Sequence, residues 1–211
     1  METKELQQLY WRYATKKFDP AKKLNEEQLD ILLSAIQLAP TSYGIQPFKI
    51  LVISDASLRE ELKVAAYGQT QVTDASHLLV FATYANFTES HIDEFAANIV
   101  ETRGITLEDI SSYVNDMKGT VKNQTQEQLQ VWNAKQAYIA LGFLLQTAAL
   151  QNIDACPMEG FDAAKFDEIL GLSEKNLKSV VIATVGFRAE DDAFQFYKKV
   201  RKTKSDLFIH I

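Results

Sequence analysis

Glycine, proline, histidine and cysteine are all scarce in this chain of 211 residues, and each shortage removes a class of chemistry. There are eight glycines and four prolines, with no Gly-x-Gly-x-x-Gly, no Walker loop and no Gly-x-Ser-x-Gly elbow. Glycine-rich phosphate cradles and serine-hydrolase elbows are therefore not expected. The one cysteine, Cys156, rules out an intrachain disulfide and a cysteine-based metal cluster. Beside Pro157 on a short apolar run, it reads as a small buried hydrophobe rather than a reactive thiolate. Three histidines, His77, His91 and His210, lie too far apart for zinc spacing, so no metal is expected. His77 follows Asp74-Ala75-Ser76 and suits either an acid–base group or a structural, hydrogen-bonded one; without a partner motif the structural reading is preferred. The longest apolar-rich stretch, Ala137 to Leu150, has 14 positions, whereas a membrane span needs about 20. The start, Met1-Glu2-Thr3-Lys4-Glu5, has no apolar core of a secretion signal. A cytoplasmic protein with no membrane partner is the expectation. Excess positive charge is missing too: the net charge is −6 and the pI about 5.2, which argues against a nucleic-acid partner.

What is present is globular: 46% hydrophobic and 24% charged residues. A chain of this length buries about 70% of its unfolded surface. No repeat or linker stands out, so one domain over 1–211 is expected. Leu6, Leu9, Tyr10 and Tyr13 space an amphipathic helix that should stop before Asp19-Pro20. Asn25 with Gln28 is a capping box, opening a helix with Leu29, Leu32, Leu33 and Ile36 as its buried stripe and ending at Ala39-Pro40. Phe48 to Ile53, Leu78 to Tyr84, Ile153 to Cys156 and Val180 to Val185 read as strands. Leu58 to Ala66 is a short helix, and residues 89–120 hold two helical stretches around Arg103-Gly104. Thr125 with Gln128 caps a long helix to about Gln151, and Phe161 to Leu170 is a helix with Gly171 as its left-handed terminator. Alternation of strands and helices leans toward a parallel sheet covered on both faces. The apolar tail Leu207 to Ile211 docks either on its own body or on another subunit.

Four segments invite chemistry. Arg12-Tyr13-Ala14-Thr15-Lys16-Lys17 carries three cations in six residues, and five of the seven residues 198–204 are cationic. Local basic clusters in an acidic chain suit a bound anion such as a phosphate, although charge runs are more often simply solvated. Pro40 to Pro47 joins a helix end to a strand and offers hydroxyls and free N–H groups, or is an ordinary loop. Pro157-Met158-Glu159-Gly160-Phe161, at a strand-to-helix junction, either presents backbone N–H groups to a ligand or is a capped turn.

In this order the segments resemble the FMN-dependent nitroreductase family, particularly its oxygen-insensitive NAD(P)H nitroreductase and dihydropteridine reductase branch. The match is carried by residues 12–19, Ala39-Pro40-Thr41-Ser42, Gln46-Pro47, Asp74-Ala75-Ser76-His77, Ala134-Lys135-Gln136, Pro157 to Asp162 and Lys199-Val200-Arg201. No one piece is decisive, but the ordered set is specific. The resemblance implies an α+β, three-layer α/β/α sandwich with a mixed, mostly antiparallel sheet, in place of the parallel one. It also implies a homodimer with two shared FMN sites and a C-terminal strand swapped to the partner subunit.

By the same resemblance, Arg12, Lys199 and Arg201 would bind the FMN phosphate. Tyr13 and Ala14 would approach the ribityl chain and flavin through the backbone, and Lys16 the pyrimidine edge. Thr41, Ser42 and Gly44 would come from the other subunit. Pro157, Met158, Glu159 and Gly160 would cover one flavin face, with the Gly160 N–H offered to N5. The segment Tyr67 to Gln71 is shorter than in the enteric enzymes, and Gly68, Gln69 and Gln71 stand where those have an Asn and a Lys on the flavin. Gln69 and Gln71 are thus expected to donate hydrogen bonds without adding charge, which shifts the reduction potential. Ala14 replaces a common serine, and residues 86–124 form the variable region, with Tyr113, Val114 and Phe87 as expected pocket walls. No side chain is expected to act as a catalytic group of its own, because the cofactor carries the chemistry. The implied activity is ping-pong transfer from NADH or NADPH through FMN to nitroaromatics, quinones or similar small acceptors. The rivals are a non-redox flavin-binding or regulatory protein, and another reaction such as reductive dehalogenation or flavin fragmentation.

Overall fold

The computed structural model describes residues 3–211, so Met1-Glu2 lie outside it. In chain order the elements are α1 (Lys4–Trp11), α2 (Glu26–Gln37), β1 (Phe48–Ile53), α3 (Ala56–Ala65), α4 (Gln71–Asp74), β2 (His77–Tyr84), α5 (Glu89–Arg103) and α6 (Ser111–Lys122). They continue with α7 (Gln126–Leu150), β3 (Asp154–Met158), α8 (Ala163–Ile169), β4 (Leu177–Gly186) and α9 (Lys204–Leu207). The capping boxes at Asn25 and Thr125 form in both directions, and Gly171 takes the left-handed conformation after α8 (φ 60°).

The strands order as β1-β2-β4-β3, and every pairing is antiparallel. This corrects the parallel arrangement that alternation suggested. Ile53 lies opposite Leu78, so α3 and α4 return the chain beside the strand it has just left rather than crossing the sheet. The only parallel pairing among the described residues is a bridge from Ala14 to Ala155.

Strand periodicity then builds three layers. Leu79 and Phe81 of β2, with Val181, Ala183 and Val185 of β4, face α2 and α7 through Leu32, Ile36, Ala137, Ala140 and Leu144. Leu78 and Val80 point the other way, onto Leu62 and Ala65 of α3 and Phe166 of α8. A satellite core of Phe87, Ile92, Val114, Met117 and Leu129 carries α5 and α6. Val114 and Phe87 are therefore packed inside, Phe87 also at the wall of a groove beside β1, while Tyr113 is exposed.

Two segments depart from their expected bounds. Helix α1 ends at Trp11 instead of running toward Asp19-Pro20. Tertiary bonds extend residues 13–17: Ala14 bridges to Ala155, and Asp192 accepts the N–H groups of Lys16 and Lys17. The tail is not a strand within this chain, and Leu207, Phe208, Ile209 and Ile211 are exposed, Ile209 at 88%.

Gly186 closes β4 against the turn before β2. A Cβ there would sit 2.9 Å from the Ser76 backbone nitrogen and 3.1 Å from the Phe18 ring. Gly186→Ala is expected to destabilise the chain by about 1–3 kcal/mol through overpacking, which is a fall of at least about 2 °C in a thermal melt. An unchanged melt would contradict this packing.

Candidate functional site

The extended segment after α1 and the run before α9 face each other across a cleft of about 320 Å³. Arg12, Tyr13, Ala14 and Lys16 come from one wall, and Lys199 and Arg201 from the other. The Lys199 ammonium donates to the Arg12 carbonyl, tying the walls together. Arg12, Lys199 and Arg201 make no ion pair with any carboxylate among the described residues. Burial pushes the Lys199 ammonium below its ordinary pKa, with repulsion from Arg12 and Arg201 adding to it. Burial lowers the Arg12 guanidinium too, and Arg201 repels it further. Two partly desolvated cations, Arg12 and Lys199, beside the exposed Arg201 and without a counter-ion are unfavourable until an anion joins them, and the guanidinium fork matches phosphate oxygens. The donor set therefore fits the phosphate of FMN.

Beneath this cleft lies a polar hub that sequence reasoning missed. Asp192 is 1% exposed. Its carboxylate accepts from the Tyr13 hydroxyl (2.8 Å), Lys16 N–H (2.8 Å), Lys17 N–H (3.1 Å) and Phe194 N–H (3.1 Å). Burial pushes its pKa up, but the four donors outweigh this and hold it below the usual carboxylate range. Burial, then the bond to Asp192, pushes the Tyr13 phenol up. Arg188 lies over the Trp11 ring (4.1 Å) and the Tyr13 ring (4.6 Å), and pairs with buried Asp154 at 2.6 Å. The one sequence signal for this hub was an aspartate pair, Asp191-Asp192, just ahead of the cationic run.

The end of β3 builds a second surface. Pro157, Met158 and Glu159 line a cleft of about 490 Å³ with Tyr138, Gly142 and Leu145 of α7. The Tyr138 hydroxyl donates to the Glu159 carboxylate at 2.6 Å. Burial and then that carboxylate push the Tyr138 phenol up to about 12. Gln69 donates from Nε2 to the Gly160 carbonyl (2.7 Å) and the Ala66 carbonyl (3.0 Å). Both hydrogens of its amide are thus engaged within the chain. Gln71 is 8% exposed in α4 and lines neither cleft.

Thr41, Ser42 and Gly44 line neither cleft in this chain. Their loop is pinned internally: Thr41 Oγ1 accepts the Gln46 N–H, and the Ser42 N–H donates to Gln136. Gly44 (φ 83°) packs its backbone against Phe95, and Tyr113 braces the loop edge-on through its ring and a 3.0 Å bond to the Tyr43 carbonyl. His77 is half-buried beside Ser76 Oγ at 3.0 Å, and burial, Arg59 and Lys23 lower its pKa. Among the described residues no cluster of His, Cys, Asp or Glu could hold a metal, and no helix is long and apolar enough to cross a membrane.

The family model described as "Nitroreductase family" matches residues 9–187. A Staphylococcus epidermidis protein named "Putative NAD(P)H nitroreductase" is 32% identical over 206 residues, covering 94% of this chain and 92% of its own. A "putative nitroreductase in complex with FMN" from Exiguobacterium sibiricum superposes with a TM-score of 0.84 at 19% identity, covering 100% of this chain and 99% of that one. An enone reductase of gut-bacterial fatty acid saturation metabolism superposes at 0.82 with 20% identity, covering 100% and 99%. At these identities the two structures speak for the fold.

Proposed function

Because the chain belongs to the nitroreductase family, we propose that it is an FMN-dependent NAD(P)H oxidoreductase acting on small acceptors such as nitroaromatics or quinones. The observation that carries this reading is the cradle of Arg12, Lys199 and Arg201, three cations gathered with no carboxylate to neutralise them. When bound, FMN supplies the redox chemistry, taking a hydride from NAD(P)H and passing the electrons to the acceptor. The chain itself binds and orients. Arg12, Lys199 and Arg201 hold the phosphate end. Lys16, on the same wall, is the cation that stabilises negative charge gathered at the pyrimidine edge on reduction. The Glu159-Gly160 turn would cover one flavin face and leave the other for nicotinamide and acceptor in turn. No nucleophile or acid–base triad is needed. A cytoplasmic setting goes with the nicotinamide reductant and with the unpaired thiol of Cys156.

The site is completed by a second copy of the chain, whose Thr41–Gly44 loop meets the cofactor. Two features support the dimer. Leu6, Leu9 and Tyr10 of α1 and Ile139 and Phe143 of α7 expose apolar side chains. Among the described residues strand β1 pairs only with β2, and a groove of about 590 Å³ lined by Leu33, Phe48 and Ile50 runs beside it. An extended, apolar tail from the partner fits that edge. Deleting residues 207–211 is expected to weaken dimerisation at least about a hundredfold, given about 1.5–3 kcal/mol for each large apolar side chain buried. Sedimentation at micromolar protein checks this, with circular dichroism confirming the fold; an unchanged dimer would reject the exchange.

The activity is tested by following NAD(P)H oxidation with a quinone as acceptor. Turnover that requires FMN supports the proposal. A protein that binds FMN yet gives no turnover would be a flavin binder without redox function.

A further inference from the structure

The turn at the end of β3 is held on every side but one. The Glu159 carboxylate accepts from Tyr138, and the Glu159 carbonyl accepts the Phe161 N–H at 3.0 Å. The Gly160 carbonyl accepts from Gln69 at 2.7 Å, and the Asp162 N–H donates to the Ala65 carbonyl at 2.8 Å. Gln69 is itself fixed by its second bond, to Ala66 at the end of α3. Two donors of the turn have no partner among the described residues, the N–H groups of Glu159 and Gly160, both at exposed positions. Such an arrangement costs side-chain entropy at Gln69 and Tyr138, and it fixes the direction of the free N–H groups, that of Gly160 among them.

We propose that Gln69 and Tyr138 are positioning residues, which clamp the Glu159-Gly160 turn from the α3–α4 connection and from α7 so that the Gly160 N–H is aimed at the flavin of the bound cofactor. This rests on the oxidoreductase reading above and assigns Gln69 a task other than direct contact. Oxidised flavin has an acceptor at N5, which an aimed N–H can satisfy. Reduced flavin carries a hydrogen at N5 and offers no such acceptor. The clamp therefore favours the oxidised form, lowers the potential, and polarises N5 toward hydride. Gln69 and Tyr138 lie on different elements and touch different residues of the turn, so their loss should act alike without a shared packing defect.

The test uses FMN-loaded wild type, Gln69→Ala and Tyr138→Phe, measuring the midpoint potential by dye equilibration and FMN affinity by flavin fluorescence. In both variants, oxidised FMN should bind up to about tenfold more weakly with reduced FMN unchanged. The potential then rises by about 30 mV, the two-electron equivalent of that tenfold change, and anaerobic reduction by NAD(P)H slows. Equal loss of affinity for both forms, with the potential unmoved, would mean that the two residues merely hold the turn together, and would overturn the proposal. So would a shift in one variant alone, since the clamp is two-sided. Tyr138→Phe keeps its ring packing and reads the same quantity if Gln69→Ala fails to fold. Wild type is measured first. If it binds no FMN or is not reduced by NAD(P)H, the oxidoreductase reading fails and this proposal falls with it, whereas a reducible wild type with unshifted variants rejects the clamp alone.

Discussion

Replacing Lys199 and Arg201 together by alanine is expected to weaken FMN binding about a thousandfold while leaving the fold intact. A hydrogen bond between charged groups contributes about 1.5–3 kcal/mol, and two such contacts to one phosphate are worth about a thousandfold by the usual conversion. Stability should hardly suffer, because Lys199 and Arg201 both repel Arg12 in the cleft. The linkage runs the same way. A lysine whose folded pKa is lowered destabilises the apoprotein while it is charged. Removing it forfeits only the bond from Lys199 to the Arg12 carbonyl. Titration of apoprotein with FMN at two salt concentrations reads the effect: the wild-type affinity should fall with salt, and that of the double variant less so. Equal affinities in the two proteins would remove the phosphate from this cleft.

Asp192→Ala should produce the largest loss of stability. The variant strands the Lys16, Lys17 and Phe194 N–H groups and the Tyr13 hydroxyl around a gap. With about 1–3 kcal/mol for each buried group left unpaired and some relief from water entry, about 3–5 kcal/mol is expected. For a chain of this size that is a fall of about 6–20 °C in Tm. The pH dependence follows from the lowered pKa of the carboxylate. Its stabilisation is complete above the unfolded value, near 3.9, and is lost as the pH falls through the lower folded value. The gap between wild type and variant should therefore be constant near neutrality and close below about pH 4. FMN affinity should drop as well, since Asp192 joins both walls of the cleft. Matching melts of the two proteins at pH 7 would show that the hub carries no weight.

Local chemistry was legible in the sequence and distant chemistry was not. Asn25 with Gln28, Thr125 with Gln128, and Gly171 act on neighbours three or four residues away, and each does in the structure what its spacing implied. The capping box at Thr88 escaped notice because its third residue is His91 rather than Glu or Gln. Helix α1 is shorter than its spacing implies because Asp192, far along the chain, holds the Lys16 and Lys17 N–H groups in an extended segment. Alternation does not fix strand direction, since a helical connection can cross a sheet or turn back, and the hydrophobic pattern is the same for both. The basic segments at residues 12–17 and 198–204 were visible as charge, and the fold was needed to place them across one cleft. Gln69 was picked out by resemblance as a flavin contact. In the fold both hydrogens of its amide go to carbonyls of the chain, and Tyr138, which donates to Glu159 in the same turn, carries no signal in the sequence.

The absorbance spectrum of the purified protein, before and after NADH or NADPH is added without oxygen, tests the central claim most directly. The account predicts a yellow protein, reconstituted with FMN if need be, that bleaches on addition of the reductant and regains its colour when a quinone follows. A colourless protein that ignores added FMN, or a yellow one that NADH and NADPH leave unchanged, would contradict it.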